Sequence, residues 1–341
     1  MTQEKPRDIT GEILAIAPLM KSPERNPKTL EGLDHYLLFT SAHDYPGMSP
    51  RMWAATYEHL GMHGQAAAFL VAPEAQLAQL YALFREDPRY VGGGAGSGFK
   101  EKILPLLDKL DESATESGAV NFIVKEQGQL MGYNTDGEGF TEGLEQLLLS
   151  QGRTVSQSTI GIIGAGGTAR AVAIALGKRG AQLMIINRTL ARAEEVVARI
   201  NERFGGKLAI PFPEDSLPAV VQEVDVLANT TNKADGPTKE YSALGPVHLP
   251  VTDENIAENR KFADEVLQAA RPETVFVDVV LGYESTMLRQ ARERHFVTQD
   301  GLPMVVHQGA HAFYLLHHRE LGERGITEQD VAKIMWQAVA K

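Results

Sequence analysis

Thr159-Ile-Gly-Ile-Ile163-Gly164-Ala165-Gly166-Gly167-Thr168-Ala169-Arg170-Ala171 is the stretch whose reading decides the fold. A short β-branched run ends in glycines, and an alanine-rich helical pattern then continues to Lys178, so the order is strand, tight turn, helix. The spacing Gly164-x-Gly166-x-x-Ala169 has a physical logic. The first glycine permits the turn, the second lets a pyrophosphate approach the backbone, and the small third residue lets helix and strand pack closely. Helix amides and the helix dipole then hold phosphate. Gly164, Ala165, Gly166, Gly167 and Thr168 are therefore candidate dinucleotide-binding residues, although a strand-to-helix turn that binds nothing would use the same pattern.

Working outward, Gln182–Ile186 reads as the next strand, Leu190–Phe204 as a helix, and Asp225–Ala228 and Thr274–Asp278 as further strands. Alternation of this kind predicts a doubly wound parallel sheet over about 151–300. A fold binding NAD carries Asp or Glu at the end of the second strand, to accept from ribose hydroxyls. Here that strand runs into Asn187-Arg188-Thr189, with Arg192 one helical turn later. Two guanidinium groups and no carboxylate suit a 2′-phosphate, which favours NADP. Between Thr231 and Thr274 the spacing predicts an amphipathic helix within Glu254–Ala270, and three prolines and two glycines predict loop over Lys233–Pro250.

Ahead of this region, some 30 residues of mixed polarity precede a strand at His35–Thr40 and a helix at Pro50–Leu60. Ala119–Val124 reads as a strand, and Gly137–Leu149 as a helix connecting two halves. Thr327 with Asp330 marks an N-cap that opens a terminal helix to about Ala340. The run Gly92-Gly-Gly-Ala-Gly-Ser-Gly98-Phe-Lys100 lacks the Lys-Ser/Thr that must follow a P-loop, so it is read as a flexible loop delivering Lys100 to a short helix. Tyr133-Asn134-Thr135-Asp136-Gly137 is a good turn. His307 and His311 have helical spacing but no evident third ligand, so no metal site is expected.

At about 150 residues per domain, 341 residues suggest two domains. A net charge of −11 argues against nucleic acid and anionic membrane as partners. No run approaches the 18 or so apolar residues of a membrane span, and the polar amino end lacks the order of a secretory signal, so a cytoplasmic chain is expected. With no cysteine, thiolate catalysis and cysteine-ligated metal are excluded.

Taken together the motifs resemble the shikimate/quinate 5-dehydrogenase family: Lys100-Glu-x-x-x-Pro105, Gly118-Ala-Val-Asn121, Tyr133-Asn-Thr-Asp136-Gly-x-Gly-Phe140, Gly164-Ala-Gly-Gly167, Asn187-Arg-Thr-x-x-Arg192, Asn229-Thr-Thr231, Asp278-Val-Val280 and Gly301-Leu-x-Met304-x-x-x-Gln308. In order and spacing the resemblance covers most of the chain from about 90 to 320. It implies an α/β protein of two α/β domains, the second a Rossmann-type doubly wound parallel sheet. A substrate-binding domain at 1–149, completed by helices in 312–341, would accompany an NADP-binding domain at 150–311 with an insertion at about 232–273, and the cleft would lie between them.

By position, Lys100 and Asp136 correspond to the family's catalytic pair, and Ser49, Asn121 and Gln308 to its substrate ligands. Gly164–Thr168, Asn187, Arg188, Thr189, Arg192, Thr230, Thr231, Gly301 and Met304 correspond to cofactor contacts. The implied reaction is hydride transfer with NADP between shikimate and 3-dehydroshikimate, or a closely related cyclic hydroxy acid, by a monomer or homodimer, with Lys100 and Asp136 managing the proton.

Departures bear on the substrate. Gly47 stands where the family has the first serine of Ser-x-Ser-Pro, Gly94-Ala-Gly96-Ser97-Gly98 replaces Asn-Val-Thr-x-Pro, and Leu281 replaces a frequent tyrosine. These removals weaken a polar site unless Ser97, Tyr45 or His43 substitutes. They keep open a different substrate, such as quinate or an amino-substituted analogue, and a dinucleotide-binding module that has lost catalysis. A folate-cofactor dehydrogenase of similar plan fits Asn134-Thr-Asp136 and Gln308 less well.

Overall fold

The computed structural model describes residues 8–96 and 98–340, so Ser97 lies outside the described residues. The chain divides into two compact units, one formed by residues 1–135 and 306–341 and the other by residues 136–305.

The first unit contains α1 (Ile9–Ile16), β1 (His35–Ser41), α2 (Ser49–Leu60), β2 (Gln65–Val71), α3 (Leu77–Glu86), β3 (Tyr90–Ala95), β4 (Lys109–Leu110), α4 (Glu112–Ser117), β5 (Phe122–Glu126) and β6 (Gln129–Tyr133). Its sheet is ordered β2-β1-β3-β5-β6-β4 and is mixed: β1 runs parallel to β2 and β3, and β5 is antiparallel to β3 and β6. Every residue of β1 after His35 is buried, which is why that strand reads as a continuous apolar run and not as an alternation. The amino-terminal extension is part of this unit. Ile13 of α1 enters the core beside Tyr36 and Leu38, and the Thr10 hydroxyl donates to buried Asp87 at 3.3 Å.

The glycine run corrects the expectation of a flexible loop. Gly92, Gly93, Gly94 and Ala95 belong to the inner strand β3, between β1 and β5, and among the described residues of the run Gly96 and the turn from Gly98 that carries Lys100 lie outside it. A Cβ at Gly93 would lie 1.9 Å from the Leu38 carbonyl oxygen, and one at Gly94 would lie 2.0 Å from that of Asn121. Gly93 also has φ of +151°, a conformation that L side chains rarely adopt. Glycine is there because neighbouring backbones leave no room for anything else.

The second unit contains α5 (Asp136–Leu149), β7 (Thr159–Ile163), α6 (Gly167–Lys178), β8 (Gln182–Asn187), α7 (Leu190–Phe204), β9 (Ala209–Pro213), α8 (Leu217–Val220), β10 (Val226–Asn229), α9 (Asp253–Ala269), β11 (Val275–Asp278), α10 (Thr286–Glu293) and β12 (Val297–Gln299). Its six strands are all parallel in the order β12-β11-β10-β7-β8-β9. The chain runs outward from β7 on one side and then crosses to β10 on the other, which makes β7 and β10 the topological switch point. Then α11 (Leu302–Glu323) starts in this unit and ends in the first, where α12 (Glu328–Val339) follows with its capping box of Thr327 and Asp330.

The boundaries differ from 149/150 and 311/312 for a packing reason. A Cβ at Gly137 would lie 2.3 Å from the Ala171 carbonyl oxygen, so α5 lies against α6 and belongs with the parallel sheet. Within 232–273 the proline-rich half is irregular yet anchored. Buried Asn259 of α9 accepts from the Ser242 amide at 2.7 Å and donates to the Ser242 and Pro246 carbonyls at 3.0 Å, while Tyr241 and Leu244 are buried.

Replacing Gly93 by alanine forces a Cβ against backbone that cannot move without parting β1 from β3. The expected loss is more than about 3 kcal/mol, read as a large fall in melting temperature or failure to accumulate as folded protein. A variant melting within 3 °C of the parent would contradict this packing.

Candidate active site

Strand ends set the first unit's site. Gly96 follows β3 and leads through buried Phe99 to Lys100, whose carbonyl accepts from the Val120 amide at 2.8 Å, just before Asn121 at the entry to β5. Asn121 in turn binds the chain after β6: its Oδ1 accepts from the Thr135 amide at 2.8 Å and its Nδ2 donates to the Thr135 hydroxyl at 2.9 Å. The same Nδ2 donates to Gln308 Oε1 at 3.1 Å. Ser49 begins α2, and Trp53 sits one turn later on the same helix face.

These residues surround one cavity of about 170 Å³, lined by Ser49, Lys100, Asn121, Thr135 and Gln308 on its polar part and by Phe39, Tyr45, Trp53, Phe69 and Phe122 on its aromatic part. The structure thus brings together four of the five residues assigned by position to catalysis and substrate: Ser49, Lys100, Asn121 and Gln308. The fifth, Asp136, is buried as the first residue of α5 and follows Thr135 directly. The aromatic wall was not foreseen. Phe39 and Phe69 meet edge to face at 5.3 Å, Trp53 stacks on Phe122 at 5.9 Å, and Tyr45 lies tilted on Phe69 at 5.5 Å. Its one sequence signal was helical spacing between Ser49 and Trp53.

Behind Trp53, Phe313 of α11 packs at 5.0 Å, and the Tyr57 hydroxyl lies 3.2 Å from His317 Nε2. Burial, with a smaller effect of His35, lowers the His317 pKa to about 4, so this support stays uncharged near neutrality. His43 is exposed. His311 Nδ1 lies 3.0 Å from Glu328 Oε2, and among the described residues no three His, Asp or Glu side chains converge as a metal site would require.

In the second unit, the predicted cofactor residues cluster at the carboxyl ends of the inner strands. Gly164 has φ of +124° and donates its amide to the Ile186 carbonyl at 2.8 Å, so the glycine turn adjoins the end of β8. On the other flank, the Thr230 hydroxyl donates to the Ile163 carbonyl at 2.8 Å and Thr231 donates to Asn229 Oδ1. A Cβ at Gly164 would crowd Thr231 and Thr230, at 2.7 and 2.9 Å, whereas one at Gly166 would meet nothing within 4 Å. That open backbone at the start of α6 is what a pyrophosphate needs. Asn187 ends β8, Thr189 caps α7 without a side-chain bond to the helix, and Arg188 and Arg192 are exposed beside it. Gly301 lies against the Val279 and Val280 carbonyls, at 2.5 and 3.0 Å from its would-be Cβ, and Met304 packs in the unit's core.

An open glycine turn at the switch point of a parallel sheet, in a chain with a separate lysine-bearing polar cavity, defines a dinucleotide-dependent oxidoreductase. Residues 46–123 match the family described as the shikimate dehydrogenase substrate binding domain, and residues 146–238 match shikimate / quinate 5-dehydrogenase. The chain is 33% identical over 272 residues to shikimate dehydrogenase (NADP(+)) of Halothermothrix orenii, covering 79% of this chain and 86% of the relative. Identity to the enzyme of the same name from Symbiobacterium thermophilum is 33% over 302 residues, 86% of this chain and 90% of the relative. Among solved structures, shikimate 5-dehydrogenase of Listeria monocytogenes, in complex with shikimate and NAD, superposes with a TM-score of 0.69 at 26% identity, over 88% of this chain and 96% of that one. The chain belongs to the shikimate dehydrogenase family.

Asn121 satisfies three groups at once, so Asn121→Ala should cost about 1–3 kcal/mol in chemical denaturation, because the buried Thr135 amide loses its acceptor. A loss under about 0.5 kcal/mol would show that water replaces the amide without penalty.

Proposed function

We propose that this chain catalyses the NADP-dependent interconversion of shikimate and 3-dehydroshikimate. The observation that carries the reading is the convergence of Lys100, Asn121, Gln308 and Ser49 on one cavity. Turning a secondary alcohol into a ketone removes a hydride from carbon and a proton from oxygen. Bound NADP would supply or accept the hydride. Managing the proton falls to the protein.

Lys100 lines the cavity and is half-buried. Its amine takes the hydroxyl proton as the ketone forms, and its ammonium returns that proton in the reductive direction. Holding that amine in place for the transfer is the part assigned to the carboxylate of Asp136. Because Gln308 is engaged through its carbonyl, its N–H donors remain for a ring hydroxyl. Ser49 supplies a hydroxyl at the start of α2, where helix amides and dipole favour a carboxylate. The aromatic wall excludes water and strengthens these polar contacts.

For the cofactor, Gly164–Gly167 would hold the pyrophosphate. Arg188, Thr189 and Arg192, with no acidic residue at Asn187, would hold the 2′-phosphate of NADP. Thr230 and Thr231 would border the same site, with Gly301 and Met304 beyond them. A cytoplasmic location, as monomer or homodimer, goes with this dependence on NADP. A second ring acid, quinate or an amino-substituted analogue, is favoured by one observation: a Cβ at Gly47 would lie 2.4 Å from the Phe69 ring, so the wall excludes the hydroxyl that a serine would present.

Nicotinamide reduction followed at 340 nm with shikimate, quinate and aminoshikimate, each with NADP and NAD, tests the reading. Shikimate with NADP should be the fastest pair, and flat traces with every ring acid would sink it. Lys100→Ala should keep NADP affinity and lose about 10²–10⁴ in turnover. Arg188→Ala should raise KM for NADP roughly 10- to 100-fold while barely moving KM for NAD, since only the phosphate contact is lost. Equal effects on both cofactors would refute the 2′-phosphate assignment.

A further inference from the structure

Gly47 and Gly96 both leave gaps in the cavity's surroundings, and one side chain closes both. A Cβ at Gly47 would meet Tyr45 Cε2 at 3.0 Å as well as the Phe69 ring, and a Cβ at Gly96 would meet the Tyr45 hydroxyl at 3.4 Å. The Tyr45 ring therefore fills the space beside residue 47 and its hydroxyl the space beside residue 96. Tyr45 lines the cavity, yet its hydroxyl has no hydrogen-bond partner among the described residues. The phenol borders the cavity, so its O–H is placed to donate to an oxygen of a molecule that enters. Burial alone pushes its pKa up to about 12, so it keeps its proton across the working range of a lysine acid–base.

We propose that Tyr45 is a specificity-determining residue that donates a hydrogen bond from its phenol to an oxygen of the ring acid, taking the place of side-chain hydroxyls that Gly47 and Gly96 cannot offer. The acceptor is a carboxylate oxygen or a ring hydroxyl. Ser49 is the neighbouring donor on the same cavity, so substrate orientation rests on a phenol and a helix-start hydroxyl together. The proposal deepens the shikimate reading and rests on it for the identity of the ring acid.

The test is Tyr45→Phe, which keeps the ring against Phe69 and removes only the oxygen. KM for shikimate should rise roughly tenfold, with KM for NADP and melting temperature unchanged. Adding Gly96→Ser should recover most of the loss. Without the phenol, the remaining contacts of a Cβ at 96 are Ser41 Cβ at 3.3 Å and the Thr40 carbonyl at 3.4 Å, which a shift of a few tenths of an ångström relieves. Shikimate methyl ester assigns the acceptor: a penalty that vanishes with the ester marks the carboxylate, and one that persists marks a ring hydroxyl. A KM change under twofold, or an equal rise in KM for NADP, would overturn the proposal. Calorimetric titration of both proteins with shikimate separates the two readings. Binding without turnover by the parent defeats the reaction while still measuring the phenol's contribution, and no binding of any ring acid defeats both.

Discussion

The close approach of β1, β3 and β5 is the constraint on which the first unit depends. Three successive glycines let the Leu38 and Asn121 carbonyls come within 2.0 Å of where side chains would begin. The ends of these strands lead into the polar residues that line the cavity. Lys100 follows β3, Asn121 precedes β5 and Thr135 follows β6, tied together by the Lys100 carbonyl and the Asn121 amide. The glycines contribute no functional group. They contribute distance, and a wider sheet would separate the lysine from the amide that shares its cavity.

The same economy explains why the site can lose hydroxyl-bearing side chains and keep its order. An aromatic wall is stiff, buries a large area and leaves few rotamers, so under the proposed function it would position a ring acid by shape. Polar identity is then concentrated in few groups: Lys100, Ser49, Asn121, Gln308 and the Tyr45 phenol. Under the proposed function each of them would discriminate sharply, because a buried donor left unmatched by a wrong ligand is costly whereas an apolar contact forgives small changes.

What the sequence made legible follows from periodicity. The parallel sheet was readable because β7, β8, β10 and β11 are short β-branched runs between helical patterns, and Thr327 with Asp330 announced α12 through a local hydrogen-bond pattern. β2 escaped because Ala66-Ala67-Ala68 has little strand preference, and β3 because glycine ordinarily signals a turn. β9 carries Pro211 and Pro213, which are tolerable only because it is an edge strand. In β2 and β3 tertiary packing overrode local propensity. At the site, the family resemblance pointed to Lys100, Asn121 and Gln308 by position, and all three line one cavity. The aromatic wall was not legible, because Phe39, Phe69 and Phe122 come from three strands and meet only once the register is set.

Charge shows the same difference between composition and placement. A chain of −11 opposes an anionic cofactor only if its acids face the cofactor site. Asp235 to Glu273 holds eight acidic and four basic residues, a −4 share of the total in the region around α9. Near the end of β8 the balance reverses. Lys233 is buried against Glu214, and burial lowers its pKa, while Glu214 opposes that shift and Arg188 adds to it. The guanidinium of Arg188 thus sits within electrostatic reach of Lys233, which is ion-paired with Glu214. Under the proposed function, a 2′-phosphate held at Arg188 would place negative charge beside both cations, so the local placement of charge, and not the net charge, would bear on the choice of cofactor.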